Sequence, residues 1–261
     1  MGPRDGPPIV ALHGFPQDSR AWDSVSRQVS SQGCRVLAPD QRGYSPGARP
    51  SATDAYRMRE LVEDVVALFD AADLETAHLV GHDWGGAVAW AVAAAHPDRL
   101  RTLTVLSTPH PLAMAKALWR GQLTRSWYFA LFQVPGLAER FLAPGSAGWR
   151  ALSQGLPAEA RERYGERMSD PAALHAALAW YRAMPGDLRR PSVPSRRTRV
   201  PTLYVWGTRD PAFARAAAIG TADAVTAPYR FVAIPGAGHW LPERDADQVS
   251  ALLLQHVERS P

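Results

Sequence analysis

Six short apolar runs recur along the 261-residue chain, each a candidate strand: Pro8-Ile9-Val10-Ala11-Leu12, Arg35-Val36-Leu37-Ala38, Ala77-His78-Leu79-Val80, Leu103-Thr104-Val105-Leu106, Thr202-Leu203-Tyr204-Val205-Trp206 and Phe231-Val232-Ala233-Ile234. Glycine-rich turns and helical patterns follow them. In the segment Glu60 to Ala72, Leu61, Val65, Phe69 and Ala72 return at helical spacing. Trp84 to Ala95 predicts another helix, stopped at His96-Pro97 because proline cannot continue it. Strands alternating with helices predict α/β architecture around a mostly parallel sheet flanked by helices.

That rhythm stops between about Pro109 and Pro201. The stretch offers no strand pattern, several helical patterns broken by proline and glycine, and many aromatics, among them Trp119, Trp127, Tyr128, Phe129, Phe132, Phe141, Trp149, Trp180 and Tyr181. A segment this apolar needs a surface to bury against, and the mouth of the sheet provides one. The expectation is a helical cap at 110–198 inserted into a core made of 1–109 and 199–261. The Arg/Pro-rich stretch Arg189 to Pro201 leads back into that core. No internal repeat or low-complexity tract is visible.

Composition narrows the class. Hydrophobic content of 46% and charged content of 21% are ordinary for a soluble globular enzyme. Of 29 basic residues only Lys116 is lysine, leaving 28 arginines. They are dispersed rather than interleaved with aromatics in one patch, which argues against nucleic-acid binding. The longest apolar run, Ala87 to Ala95, is too short to span a bilayer, and the first residues lack the design of a secretory signal. The single Cys34 excludes an internal disulfide framework and suits a reducing compartment, so a cytoplasmic location without membrane attachment is expected.

Candidate chemistry sits where the strands end. Gly81-His82-Asp83-Trp84-Gly85-Gly86 follows a strand and opens a helix, the setting of the G-x-S-x-G nucleophile elbow with Asp83 in the place of serine. Taken alone, Asp83 reads equally well as a helix N-cap. No G-x-S-x-G occurs elsewhere to compete with it. His13-Gly14-Phe15-Pro16, after the first strand, can aim the Phe15 N–H at the nucleophile, and the N–H of Trp84 can complete an oxyanion hole. By itself this motif also reads as an ordinary turn. Asp210, in Trp206-Gly207-Thr208-Arg209-Asp210-Pro211, is a turn aspartate or the acid of a triad. His239, in Gly236-Ala237-Gly238-His239-Trp240, is a structural histidine or its base. The order Asp83, Asp210, His239 is the chain order of an α/β-hydrolase triad, and that order raises four modest signals to one coherent reading.

From His13 to the final helix the motifs resemble the α/β-hydrolase superfamily. Within it, His13-Gly14-Phe15-Pro16 together with Gly81-His82-Asp83-Trp84-Gly85-Gly86 resembles the epoxide hydrolases. Asp40-Gln41-Arg42-Gly43-Tyr44 with Gly47 is similar to that family's loop after the next strand, loosened by Ser45-Pro46, and reads as structural support. The resemblance implies two cap tyrosines that donate to the epoxide oxygen. Tyr128 stands before Phe132-Gln133-Val134-Pro135-Gly136-Leu137-Ala138-Glu139, and Tyr181 lies within Trp180-Tyr181-Arg182, both in the family's register. Without the resemblance each tyrosine would read as a packing residue. The family also begins with a two-stranded hairpin, and only eight residues precede Ile9 here. A shortened sheet is therefore expected, with the strand near Val36 as an edge that is covered by other means, left less stable, or used to form a homodimer.

The reaction so implied is hydrolysis of an apolar epoxide to a vicinal diol. Asp83 would attack carbon to form an ester while Tyr128 and Tyr181 protonate the alkoxide. His239, oriented by Asp210, would then activate water against that ester. Trp84, Trp127 and Trp180 are the expected apolar contacts for the substrate. The chemistry needs no cofactor and no metal, and the eight histidines show no metal-ligand spacing. Two alternatives stay open. A haloalkane dehalogenase uses the same aspartyl ester and would find one halide donor in Trp84, but Phe15 stands where such an enzyme carries an asparagine, leaving Trp127 or Trp180 to substitute for it. A fluoroacetate dehalogenase would need arginines just after the nucleophile, where Trp84, Gly85 and Gly86 stand. The other alternative is a hydrolase-fold protein that binds without catalysis, which would have no use for His239 and Asp210.

Overall fold

The computed structural model describes residues 1–259. All six apolar runs are strands: β1 (Pro8–Leu12), β2 (Arg35–Leu37), β3 (Ala77–His82), β4 (Leu100–Leu106), β5 (Thr202–Gly207) and β6 (Tyr229–Ile234). They form one sheet of order β2-β1-β3-β4-β5-β6 in which every neighbouring pair is parallel. The helices are α1 (Asp23–Ser31), α2 (Met58–Ala71) and α3 (Trp84–Ala95) among the first strands, then α4 (Pro111–Lys116), α5 (Gln122–Arg125), α6 (Trp127–Phe132), α7 (Leu137–Leu142), α8 (Ala147–Leu152), α9 (Ala158–Ser169) and α10 (Pro171–Arg189), and finally α11 (Arg215–Gly220), α12 (Leu241–Arg244) and α13 (Ala246–Glu258). Between β4 and β5 lie helices and, among the described residues, no strand. None of the described helices is long and apolar enough to cross a membrane.

The uninterrupted apolar character of the strands has a direct cause: both faces of the sheet are covered. In β1, Val10 and Leu12 face one core with residues of α2 and α3, while Ile9 and Ala11 face a second core with residues of α1 and α13. The chain begins its sheet at β1, steps out to β2, and then crosses back to β3 on the other side of β1. That reversal opens a crevice above the carboxyl ends of β1 and β3, the place where open α/β sheets bind their ligands. The Phe15 loop and Asp83 leave those two strand ends.

The edge at β2 is occupied. Its outward backbone pair at Val36 is taken by Met1, whose ammonium donates to the Val36 carbonyl at 2.7 Å while the Val36 N–H donates to the Met1 carbonyl at 2.8 Å. Of the outcomes expected for a shortened sheet, coverage by other means is the one observed.

Candidate active site

Asp83 occupies the turn between β3 and α3 with φ 51°, in the left-handed region that a side chain rarely enters. The turn is tight enough that a Cβ on Gly81 would stand 2.2 Å from the Gly85 carbonyl oxygen. Although Asp83 is the cap residue of α3, its side chain makes no capping hydrogen bond. The carboxylate is instead turned across to the neighbouring strand end, where the Phe15 N–H donates to Oδ1 at 2.8 Å. The Asp83 backbone carbonyl accepts from the Thr108 hydroxyl at 2.7 Å, which fixes the elbow from the end of β4. Trp84 is the first residue of α3, so its N–H is among the donors that no intrahelical carbonyl satisfies.

The other two residues converge on this carboxylate from the far strand ends. His239 Nδ1 lies 2.9 Å from Asp210 Oδ2, and His239 Nε2 lies 3.6 Å from Asp83 Oδ2. Asp210 is held by the N–H groups of Ala212 and Phe213, both donating to Oδ1 at 2.8 and 3.3 Å. Its remaining oxygen is thereby committed to the imidazole. Burial opposes charge on His239, but Asp210 and then Asp83 outweigh it and raise the ring to about 10. Burial also works to raise Asp83, yet the neighbouring His239 above all, with His82 and the Phe15 N–H, holds it below the usual carboxylate range. Asp83 is therefore an anion beside an imidazolium, and the α3 dipole adds to its preference for charge.

Asp83 and His239 open into a cavity of about 920 Å³ roofed by Tyr128, Phe132 and Tyr181. Tyr128 and Tyr181 have ring centroids 6.2 Å apart, and burial followed by the charge of Asp83 holds both phenols well above their ordinary range, so each keeps its proton. The three expected tryptophans behave differently from one another. Trp127 lines the cavity at its outer rim and is 58% exposed. Trp180 does not line it: the ring is buried behind Trp84, and its N–H is spent on the Arg42 carbonyl at 2.9 Å. The Trp84 ring is likewise outside the lining, set edge-on against Tyr181 at 5.0 Å. Beside Trp127, the apolar lining comes from Phe132, Phe141, Leu152 and an indole not among the expected three, Trp240.

Several residues that position the site carry no motif of their own. Ser107, at φ 68° just past β4, donates its hydroxyl to the His239 carbonyl at 3.0 Å, and Tyr204 of β5 donates to the Ser107 carbonyl at 2.8 Å. Gln122 of α5, almost fully buried, donates to the Ala212 carbonyl and accepts from the Ala214 N–H, tying the Asp210 loop to the helices above. His82 and Gln17 lie beneath the His239 loop. Position at a strand's carboxyl end could have flagged Ser107 and His82; nothing local flags Gln122. The loop from Asp40 to Gly47 is a buttress, as expected: the Gln41 side chain donates to the His13 carbonyl at 2.6 Å, and Arg42 pairs with Asp64 through two hydrogen bonds.

A description of the alpha/beta hydrolase fold matches residues 7–246. The AB hydrolase superfamily protein YfhM of Bacillus subtilis is 36% identical over 98% of this chain and 92% of its own length. Epoxide hydrolase A of Mycobacterium tuberculosis is 32% identical over 97% of this chain and 91% of its own. In three dimensions the crystal structure of epoxide hydrolase A from Mycobacterium thermoresistibile superposes with TM-score 0.87 at 26% identity, covering 100% of this chain and 94% of that one. Potato epoxide hydrolase I gives TM-score 0.80 at 25% identity, covering 99% and 94%. With the fold matched over nearly its whole length, the chain belongs to the α/β-hydrolase family.

Proposed function

We propose that this protein is an epoxide hydrolase that opens an apolar epoxide with Asp83 and releases a vicinal diol. The observation that carries the reading is the arrangement around one cavity: an ionised carboxylate at its floor, two protonated phenols at its roof, and a histidine–aspartate pair behind the carboxylate. The names of its relatives support the same substrate class.

An epoxide is strained, but its leaving group is an alkoxide, so ring opening needs a nucleophile behind carbon and an acid at oxygen. Oδ1 of Asp83 is held by Phe15, which leaves Oδ2 to attack. The C–O bond of the ring breaks as the Asp83–carbon bond forms, and Tyr128 and Tyr181 stabilise and protonate the oxygen. Esterification removes the charge of Asp83, and with it part of what holds the proton on His239. His239 gives up its proton through the cavity to the phenolate left by ring opening. The imidazole, now a base, takes a proton from water, and the hydroxide adds to the ester carbonyl. Its oxyanion falls at Oδ1, facing the Phe15 N–H and, as we assign it, the Trp84 N–H. Collapse frees the diol and restores Asp83. We assign 110–198 to the cap and 1–109 with 199–261 to the core, and a cytoplasmic site of action remains part of the same proposal.

Dehalogenation is less well supported, because a halide needs side-chain N–H donors in the cavity. The Trp84 and Trp180 indoles lie outside its lining, the N–H groups of Trp180 and Trp240 are already bonded, and the remaining indole in the lining, Trp127, is largely exposed to solvent at the rim. Parallel assays with styrene oxide and 1-bromobutane decide between the two. The expected result is diol without halide; halide without diol overturns the proposal. Single turnover in heavy-oxygen water should place the label in Asp83, and a label found only in the diol would instead indicate direct attack by water.

A further inference from the structure

Beneath the site runs a buried polar chain that the reaction as written does not use. Glu243, on α12 just after His239, accepts at Oε1 from the Gln17 amide at 2.7 Å and from the Tyr164 hydroxyl of α9 at 2.9 Å. Its other oxygen, Oε2, is buried and has no hydrogen-bond partner. The Gln17 amide oxygen accepts the Gly14 N–H at 2.7 Å and lies 2.8 Å from His82 Nδ1. His82 Nε2 in turn lies 2.9 Å from the His239 carbonyl oxygen. Gln17 and His82 are fully buried, so no solvent substitutes for these contacts.

The two ends of this chain reach the two loops that the hydrolytic step uses. Gly14 precedes Phe15, whose N–H holds Asp83, and His239 is the base. We propose that Glu243 is a positioning residue which, through Gln17 and His82, holds the Phe15 loop and the His239 loop in one register and docks the cap helix α9 onto them through Tyr164. The inference rests on the hydrolase reading for its kinetic consequence, but not for its structural one.

Chemistry explains why an acid stands there. Oε1 of Glu243 accepts from two donors while nothing donates to the buried Oε2, so the surroundings do not compensate a full negative charge there. Burial raises the group to about 7, against the opposing hydrogen bonds of Gln17 and Tyr164 and the charge of His239. The other titratable neighbours are Arg163 and Asp18, paired at 3.2 Å beside Tyr164, and neutral His82, which burial and then His239 lower to about 3. A neutral ring donates to one neighbour only. Both ring nitrogens face oxygens, so one of these two contacts is packing rather than a hydrogen bond, and the continuous hydrogen-bonded link from Glu243 runs through Gln17 to the Gly14 N–H.

The test compares Glu243→Leu, which removes the acceptor, with Glu243→Gln, which keeps it. With styrene oxide, the Leu variant should lose roughly tenfold or more in kcat with KM nearly unchanged, since misplacing catalytic groups by a fraction of an ångström costs that much. The Gln variant should recover most of the rate. Melting temperatures read the same residue without any substrate. A carboxyl raised in the folded state contributes stability that is complete below its ordinary value and is lost as pH rises through the raised one. Glutamine does not ionise, so the Gln variant should gain in Tm over the parent between about pH 5 and about pH 8. A Leu variant with parental kcat, a Gln variant no faster than Leu, or a Tm difference that does not change with pH would overturn the proposal. A parent enzyme inactive on every epoxide sinks the hydrolase reading, and the melting experiment still decides the role of Glu243.

Discussion

His239 Nε2 stands 3.6 Å from Asp83 Oδ2, close enough for the two charges to attract and too far for a good hydrogen bond. The imidazole is tied closely to Asp210 alone. Its link to Asp83 is mainly electrostatic, and it disappears when Asp83 becomes an ester. The same residue can therefore be an imidazolium that stabilises the free nucleophile and a base once the nucleophile is spent.

The first consequence is a trap. In the proposed reaction attack by Asp83 needs no base, whereas release does, so His239→Gln should form the ester and fail to hydrolyse it. Turnover is expected to fall by about 10²- to 10⁴-fold, the usual worth of a general base. Intact-mass measurement after mixing with styrene oxide should show one substrate added per chain. A variant that accumulates no adduct while keeping its fold would remove His239 from the second step.

Stability carries the same signature. His239 is raised from 6.5 to about 10 in the fold, despite burial, by Asp210 and Asp83. A histidine raised on folding contributes stability that is fully present below its unfolded value and is lost as pH climbs through the folded one. The Tm deficit of His239→Gln should therefore be larger at about pH 6 than near pH 10. Asp83 works in the opposite sense: its lowered value means its contribution exists above the ordinary carboxylate range and fades below it. A deficit constant across that range would show that the ring is neutral in the resting protein.

The phenols give a separable prediction. Tyr128→Phe and Tyr181→Phe each remove one donor to the developing alkoxide while the ring packing survives. Each should slow ester formation by roughly 10²-fold, at the lower end of what losing one oxyanion donor costs. Neither should alter hydrolysis of an ester already formed. Stopped-flow tryptophan fluorescence can follow both phases, because Trp84 abuts both Asp83 and Tyr181. If hydrolysis alone slows, the tyrosines act on the water rather than on the ring.

The strands and the main site residues were readable in the sequence for a physical reason. A parallel strand covered on both faces must be an unbroken apolar run, and the crevice lies at its carboxyl end, so Asp83, Asp210 and His239 stand in the loops that follow β3, β5 and β6. The tryptophans were less readable. Register places Trp84 and Trp180 near the site, but which way an indole faces depends on partners far along the chain, such as Arg42 for Trp180. The Gln17–Glu243 bond spans 226 positions and follows no period, so no local pattern announces it. Coverage of the β2 edge by Met1 was similarly hidden, because it consists of backbone hydrogen bonds that any side chain would allow.

Gly14 offers the sharpest geometric test of the elbow. A Cβ there would stand 2.3 Å from the Asp83 Cβ and 2.7 Å from its Oδ1, against the atoms that must stay still for the Phe15 N–H to hold the carboxylate. Gly14→Ala should therefore push the two loops apart. Overpacking of this kind costs about 1–3 kcal/mol of stability, which circular-dichroism melting would register as a lowered Tm. The catalytic loss should exceed the stability loss, at roughly 10²-fold in kcat, because a small displacement of the nucleophile misaligns attack. Gly47→Ala is the matched comparison: a Cβ there meets nothing within 4 Å, so both Tm and kcat should stay at parental values. If Gly14→Ala retains full activity, the loop has room to yield, and the close approach of Phe15 to Asp83 is not what fixes the nucleophile.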